Sequence, residues 1–320
     1  MSPTPLGYLE AAGERAQIIL PLTWLTLTIS ILVCLVIAIL LWMGVRRARL
    51  AGGAEQMRQV EIIHGAPGTQ WFTVGLTITA VLLFITLVWT MVALAKGAAP
   101  AAPTAMTLDV TGMQWWWEIR YDSSEPDKTF ITANEIHIPV GMPVLVRLHG
   151  GDVIHSFWVP RLSGKTDTIP GQTNITWLQA SQPGRYRGQC TEYCGAQHAH
   201  MGFEVVAESP ADFERWREHQ LQPAPPPATP EQQRGMQLVQ YRCGLCHEVR
   251  GTLAAAVSAP DLTHVMSRRT IAAGTLTNGA GVLGAWIEGA QQLKPGTLMP
   301  NQDLTAQQLS DTLAYLETLQ

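Results

Sequence analysis

Two stretches without a single charged residue, Ile18 to Met43 and Trp71 to Ala95, decide the architecture before anything else does. Each exceeds the roughly 20 residues that a helix needs to cross the hydrocarbon core of a bilayer, so the chain is expected to be anchored by a two-helix transmembrane hairpin. Trp24, Trp42, Trp71 and Trp89 lie toward the ends of these runs, where an indole packs on lipid and hydrogen-bonds at the interface. The connector carries Arg46, Arg47, Arg49 and Arg58 against Glu55 and Glu61, whereas Lys96 is the only basic residue close after the second run. Positive-inside reasoning therefore places the connector in the cytoplasm and both termini outside, in the periplasm or its equivalent. Met1 to Glu10 has no basic segment ahead of an apolar run, so no cleavable signal is expected there. Cys34, in the middle of the first run, is a small apolar packing residue on this reading.

The rest of the chain is too long for one ordinary domain. With 47% hydrophobic and 14% charged residues the whole chain is too apolar to be disordered, and its net charge of -4 offers no basic field for nucleic acid. After the Ala-Pro tether Gly97 to Thr104, short runs alternate apolar and polar residues. Ile136, Ile138 and Val140 are followed by Val144, Val146 and Leu148 across Gly141-Met142-Pro143, which reads as an antiparallel pair. With Val153 to Val159 and Ile175 to Leu178 also β-prone, an all-β sandwich or small barrel is expected. Pro223, Pro225, Pro226, Pro227 and Pro230 make Gln222 to Pro230 a stiff, extended linker. The expected organisation is residues 1–96 as the hairpin, 97–221 as the first soluble domain, 222–230 as the linker and 231–320 as a second soluble domain.

The first soluble domain concentrates its chemistry in Cys190-Thr-Glu-Tyr-Cys194-Gly-Ala-Gln-His198-Ala-His-Met201. Two thiols, an imidazole and a thioether form a soft, mixed donor set that suits copper better than calcium or magnesium. Two thiolates can bridge two copper ions, with a histidine on each, so a second histidine is needed from elsewhere. His155, in the β-prone Asp152-Val-Ile-His-Ser-Phe-Trp-Val-Pro160, is the best candidate. A Cys190–Cys194 disulfide and a mononuclear copper or zinc site are the alternatives. A blue-copper site needs only one thiolate, so the second cysteine argues against that version.

These residues resemble the binuclear copper (CuA) domain of cytochrome c oxidase subunit II, and the resemblance takes in both apolar runs. It implies a cupredoxin-like sandwich in which the pair of coppers is held by Cys190, Cys194, His155, His198, Met201 and the backbone carbonyl of Glu192. The Glu192 side chain would then face subunit I and share a magnesium ion with it, a hard cation suited to a carboxylate. In Gly112-Met-Gln-Trp115-Trp116-Trp117, side chains alternating along a strand put Trp115 and Trp117 on one face and Trp116 on the other. The resemblance implies that Trp115 lies exposed above the copper and takes electrons from cytochrome c. Asp152 matches an acidic family position near the copper face, though a solvated strand end explains it equally. His137, His149 and His200 fall outside the motif and read as surface or packing histidines.

The second soluble domain contains Cys243-Gly-Leu-Cys246-His247, the signature of covalent c-type haem attachment. The two thiols would join the haem vinyl groups and His247 would supply one axial nitrogen. Met299, in Lys294-Pro-Gly-Thr-Leu-Met299-Pro300, is the expected second axial ligand, with Met266 as its rival. His264 reads as a helix-start or haem-edge residue. Leu309, Leu313 and Leu316 follow helical spacing and are expected to pack against the first helix of this domain. Ala259-Pro-Asp-Leu-Thr-His264 through Met299-Pro300 resembles the class I, all-α cytochrome c domain fused to subunit II in bacterial caa-type haem–copper oxidases, with Ala259 in place of a glycine often found there.

The resemblance thus implies an electron-transfer subunit of a proton-translocating terminal oxidase in the bacterial inner membrane. Electrons would pass from an external donor, a cytochrome c or a quinol–cytochrome c reductase, through haem c and CuA to subunit I, with subunit III as a further partner. The chain itself would be a relay, not the site of dioxygen reduction. A nitric oxide reductase subunit and a non-enzymatic copper carrier are the competing readings, and a quinol oxidase subunit would lack the copper ligands. Glu61, ten residues ahead of Trp71, is a candidate for proton uptake, although an ordinary loop charge accounts for it too.

Overall fold

A computed structural model of the protein describes residues 6–50 and 68–320; Glu61 lies outside them. Helices α1 (Glu14–Leu50) and α2 (Gly68–Gly97) are both long and apolar enough to cross a membrane. Residues Gln17–Ala98 form one compact unit, and the remainder of the chain forms another.

Ten strands build the sandwich: β1 (Met106–Met113), β2 (Trp116–Tyr121), β3 (Phe130–Ala133), β4 (Glu135–Pro139), β5 (Val144–Gly150), β6 (His155–Trp158), β7 (Thr166–Thr168), β8 (Asn174–Leu178), β9 (Gly184–Cys190) and β10 (Gly202–Glu208). They form two five-stranded sheets, ordered β3-β2-β1-β5-β8 and β4-β10-β9-β6-β7. Leu108, Val110, Ile119, Val146 and Leu148 from the first sheet and Ile136, Ile138, Phe157, Phe203 and Val205 from the second share one core. The expected hairpin across Gly141-Met142-Pro143 does not form. β4 runs parallel to β10 in the second sheet, whereas β5 runs parallel to β1 in the first. Both runs carry apolar side chains for the same core, and a corner at Gly141, held at φ +77° with its N–H bonded to Ala180 O, lets them face it from opposite sides.

Helix α3 (Pro210–Gln220) closes one end of the sandwich and stacks Trp216 on His137 with ring centroids 4.0 Å apart. His137 is no surface residue: it is buried, with Nε2 3.1 Å from Glu135 Oε1 and Nδ1 3.2 Å from Glu208 Oε2. Burial pushes its pKa down, but the two carboxylates outweigh that and hold it above the ordinary value.

Beyond residues 223–228, which carry no regular structure, come α4 (Pro230–Leu238), the two-residue strands β11 (Thr270–Ile271) and β12 (Leu276–Thr277), α5 (Ala280–Leu293) and α6 (Ala306–Leu316). Capping boxes at Thr229/Gln232 and Thr305/Gln308 start α4 and α6. These two helices cross at Gly235, where a Cβ would stand 1.9 Å from Asp311 O and 2.9 Å from Tyr315 Cβ. The C-terminal helix does pack on α4, but through Asp311 and Tyr315; Leu309 and Leu313 turn instead toward Gly284 of α5. Arg234 locks the crossing with a bidentate pair to Asp311, both contacts 2.8 Å.

Gly235→Ala is therefore expected to destabilise the C-terminal part by about 1–3 kcal/mol, seen as a lower midpoint of thermal unfolding by circular dichroism of the full chain in detergent. A histidine whose pKa rises on folding adds stability that is complete below its unfolded pKa and lost as pH climbs through the folded value. The stability gap between the wild type and His137→Gln should accordingly narrow as pH rises above about 6.5, and unfolding midpoints measured across a pH series check it.

Candidate metal centres

The first centre is assembled by strand pairing. Cys190 ends β9, His155 begins β6, and these neighbouring strands pair Phe157 with Cys190. The donor atoms of His155, Cys190 and Cys194 lie within 4.8 Å of one another, all three residues buried. Cys194 Sγ stands 3.8 Å from Cys190 Sγ, 3.5 Å from His198 Nδ1 and 3.7 Å from Met201 Sδ, and the Glu192 carbonyl oxygen is 3.3 Å from Cys190 Sγ. The cysteines are separate thiols, and the soft donors of the motif converge. Hydrogen bonding from the Cys194 thiol pulls the Cys190 pKa down, and sharing that proton holds Cys194 up.

What holds His155 in place was only half visible in the motif. Asp152 Oδ1 binds its Nε2 at 2.7 Å, while Oδ2 accepts the Gln114 N–H at 2.6 Å, so this acidic residue orients the His155 imidazole rather than merely ending a strand. His155 Nδ1 is left buried with no hydrogen-bond partner, as a metal-binding nitrogen would be. Gly112 makes room for the imidazole, since a Cβ there would stand 2.9 Å from His155 Cδ2. Behind it, Trp117 packs edge-on against Phe157 and Phe203, with centroids 5.7 and 5.4 Å away.

The second centre follows a short π-helical turn, Val239–Cys243, at the end of α4. His247 Nδ1 lies 2.6 Å from the carbonyl of Pro260, a bond that fixes the tautomer and leaves Nε2 for a metal. Its burial pushes the pKa down, keeping the imidazole neutral. Cys243 and Met299 share a partly buried apolar cluster, and so does Met266. Gln291 Nε2 holds the loop of Met299 through the carbonyls of Thr297 and Met299, at 2.6 and 2.7 Å. The ring nitrogens of His264 lie 2.6 and 3.1 Å from the carbonyls of Gln320 and Gln222, so this residue ties down the chain end.

The sequence matches two families: "Cytochrome C oxidase subunit II, periplasmic domain" over residues 126–209, and "Cytochrome c" over residues 232–320. The "Cytochrome c oxidase subunit 2" of Alkalihalophilus pseudofirmus is 32% identical over 319 residues, covering 98% of this chain and 91% of that protein. The chain belongs to the cytochrome c oxidase subunit II family. The Bacillus subtilis member is 29% identical over 328 residues, 96% of this chain and 88% of its own. That of Thermostichus vulcanus is 41% identical over 135 residues, 42% of this chain and 38% of its own.

As a subunit II with a cytochrome c domain, the chain is part of an oxidoreductase complex, associates with other oxidase subunits, and carries a cupredoxin-like domain that implies copper and a helical domain that implies haem c. The matched family is that of the periplasmic domain, in keeping with soluble parts outside the membrane.

Trp115 departs from expectation in two ways. It sits in the turn between β1 and β2 rather than on a strand with Trp117, and it is only 8% exposed. Its indole N–H donates to Cys194 O at 3.0 Å, and the loop Lys294-Pro295-Gly296 of the cytochrome domain covers it. Gly195, at φ +117°, leaves space beneath the ring, where a Cβ would come within 3.0 Å of Trp115 Cζ2. Nothing in the local sequence announces that cover, because it comes from residues about 180 positions away. The other two histidines serve locally, His149 paired with Asp109 at 2.7 Å and His200 with Gln197 at 2.7 Å.

Removing the carboxylate that orients His155 is expected to weaken copper binding without unfolding the sandwich. For Asp152→Asn the loss should be about 10–100-fold, read by titrating the protein against a competing copper chelator.

Proposed function

We propose that this subunit is the electron relay of an oxygen-reducing terminal oxidase, taking electrons from an external donor and delivering them to the haem–copper subunit I. The observation that carries this reading is the convergence of Cys190, Cys194, His155, His198, Met201 and the Glu192 carbonyl at one buried point, beside a domain bearing Cys243-x-x-Cys246-His247. Bound there, a thiolate-bridged copper pair and a covalent haem would supply reversible one-electron exchange.

The chain's own residues hold and shield these groups. Cys190, Cys194, His155 and His198 would hold the coppers, with His155, Cys190, Cys194 and Met201 buried in the sandwich away from water. Cys243 and Cys246 would anchor the haem covalently, and His247 and Met299 would hold its iron. The Glu192 side chain, 47% exposed and 3.9 Å from Lys165, is free to reach a magnesium ion shared with subunit I. Subunit III completes the assembly in this reading, and both termini lie on the periplasmic side.

Metal analysis and electron paramagnetic resonance of the full chain in detergent, loaded with copper and haem, test the proposal. Two coppers per covalent haem, with hyperfine structure from one electron shared over both ions, is the expected result; the pattern of a single copper, or no copper, would overturn the bridged site. Met299→Leu should shift the haem potential and remove the methionine-to-iron absorption band while Met266→Leu leaves both in place, and the reverse outcome would exchange the two assignments.

A further inference from the structure

We propose that Lys294 is the positioning residue that seats the cytochrome domain on the copper domain, by capping the backbone carbonyl of Trp115. The inference rests on the relay reading for its electron-transfer consequence, but not for the seating itself. Lysine is almost never buried without an ionic partner, yet Lys294 is 3% exposed and, among the described residues, no carboxylate lies within ion-pair distance of it. Its ammonium donates instead to Trp115 O at 2.7 Å and to Ala272 O at 3.2 Å, one carbonyl from each domain. Burial this deep pulls its pKa down to about 7. A desolvated ammonium is a poor source of stability, so the role assigned to it here is to fix one arrangement of the two domains.

Everything next to Lys294 is shaped for the same contact. Lys294 ends α5, Pro295 O accepts Gln197 Nε2 at 2.8 Å, and Gly296, at φ +84°, lies against the Trp115 ring. Around Ala272, the β11–β12 turn holds Ala272 and Ala273 at φ +53° and +57°, a left-handed conformation that non-glycine residues keep only when their surroundings impose it. Gly202 N imposes it here by donating to Ala273 O at 2.9 Å, and Arg187 adds a bond to Gly274 O at 2.9 Å. On the far side, the Trp115 indole is bonded to Cys194 O. A single line of contacts therefore runs from the loop of Met299, through Lys294 and Trp115, to a copper-binding cysteine. Trp115 becomes an internal bridge between domains instead of a landing site for a soluble donor.

Two measurements on the loaded full chain test this. In amine labelling followed by mass spectrometry, Lys294 should react about tenfold or more slowly than Lys128 and Lys165, whose side chains are 41% and 52% exposed; equal reactivity would overturn the seating. In Lys294→Met, which keeps the length but not the donor, light-triggered electron transfer from haem to copper should slow about tenfold or more and become viscosity-dependent, with both metal spectra unchanged. Lys294→Gln, which restores an N–H donor, should recover part of the rate. Wild-type transfer in Lys294→Met would sink the positioning role. If Lys294→Met loses either spectrum, labelling of the unmutated chain decides alone; if the unmutated chain never shows the copper signal, the relay reading fails while labelling still reports on the seating.

Discussion

The copper site depends on the antiparallel pairing of β9 with β10, which carries the chain from Gly184 opposite Ala207 to Gln189 opposite Gly202 and then opens into one loop. Closure of that loop by the Cys190 N–H to Met201 O bond places a candidate donor at each end, so five of the six candidate donors come from a segment that is short in chain and cheap in closure entropy. The distant ligand is brought in by the next strand over, since β6 pairs with β9. Gly188 shows how tightly this is built: a Cβ there would stand 2.2 Å from the ring of Phe203, which in turn supports Trp117 behind His155. The placement of the candidate donors is thereby inherited from sheet registry.

That dependence explains what could be read from the chain and what could not. The cysteine, histidine and methionine spacing from Cys190 to Met201 and the motif from Cys243 to His247 are local, and both families match where the motifs lie. The uncharged runs are local too, and both are helices. Relations across the sandwich were not legible. Period-two alternation says that Ile136 and Val144 face a core, but it is silent on which sheet each strand joins, and a hairpin and a sheet-to-sheet corner have the same local pattern. Likewise Leu309 and Leu313 announce a helix with an apolar stripe, yet the stripe faces α5 because Gly235 and Tyr315 make the closer approach to α4. Asp152 was ambiguous for a different reason: its value lies in two bonds, to His155 and to the Gln114 N–H, that exist only once β1 and β6 have been folded together.

A charged residue buried at a domain contact differs in kind from the charge cluster around His137. Glu135, Glu208 and His137 satisfy each other inside one fold, with Arg185 3.5 Å from Glu135 and Trp216 as a lid. Lys294 has no carboxylate within ion-pair distance among the described residues, and its ammonium is satisfied by one carbonyl from each domain. Arg268, also buried, reaches across as well, donating to Asp261 O in its own domain at 2.6 Å and to Thr132 Oγ1 in the sandwich at 3.3 Å.

The proline-rich segment takes on a different meaning in this light. Its leading end is not free: Gln222 O is held near His264, Ala224 N donates to Arg250 O at 2.9 Å, and Pro223 lies 2.8 Å from where a Cβ on Gly251 would be. Arg250 also bonds Gln220 O, at the very end of α3. The leading end of the proline segment, residues 222–224, is therefore fastened to the cytochrome domain, and the leash between the two domains shrinks to the couple of residues that leave α3. A domain on so short a leash has little volume to explore, so its effective concentration at the neighbouring sandwich is high whatever the strength of the contact itself.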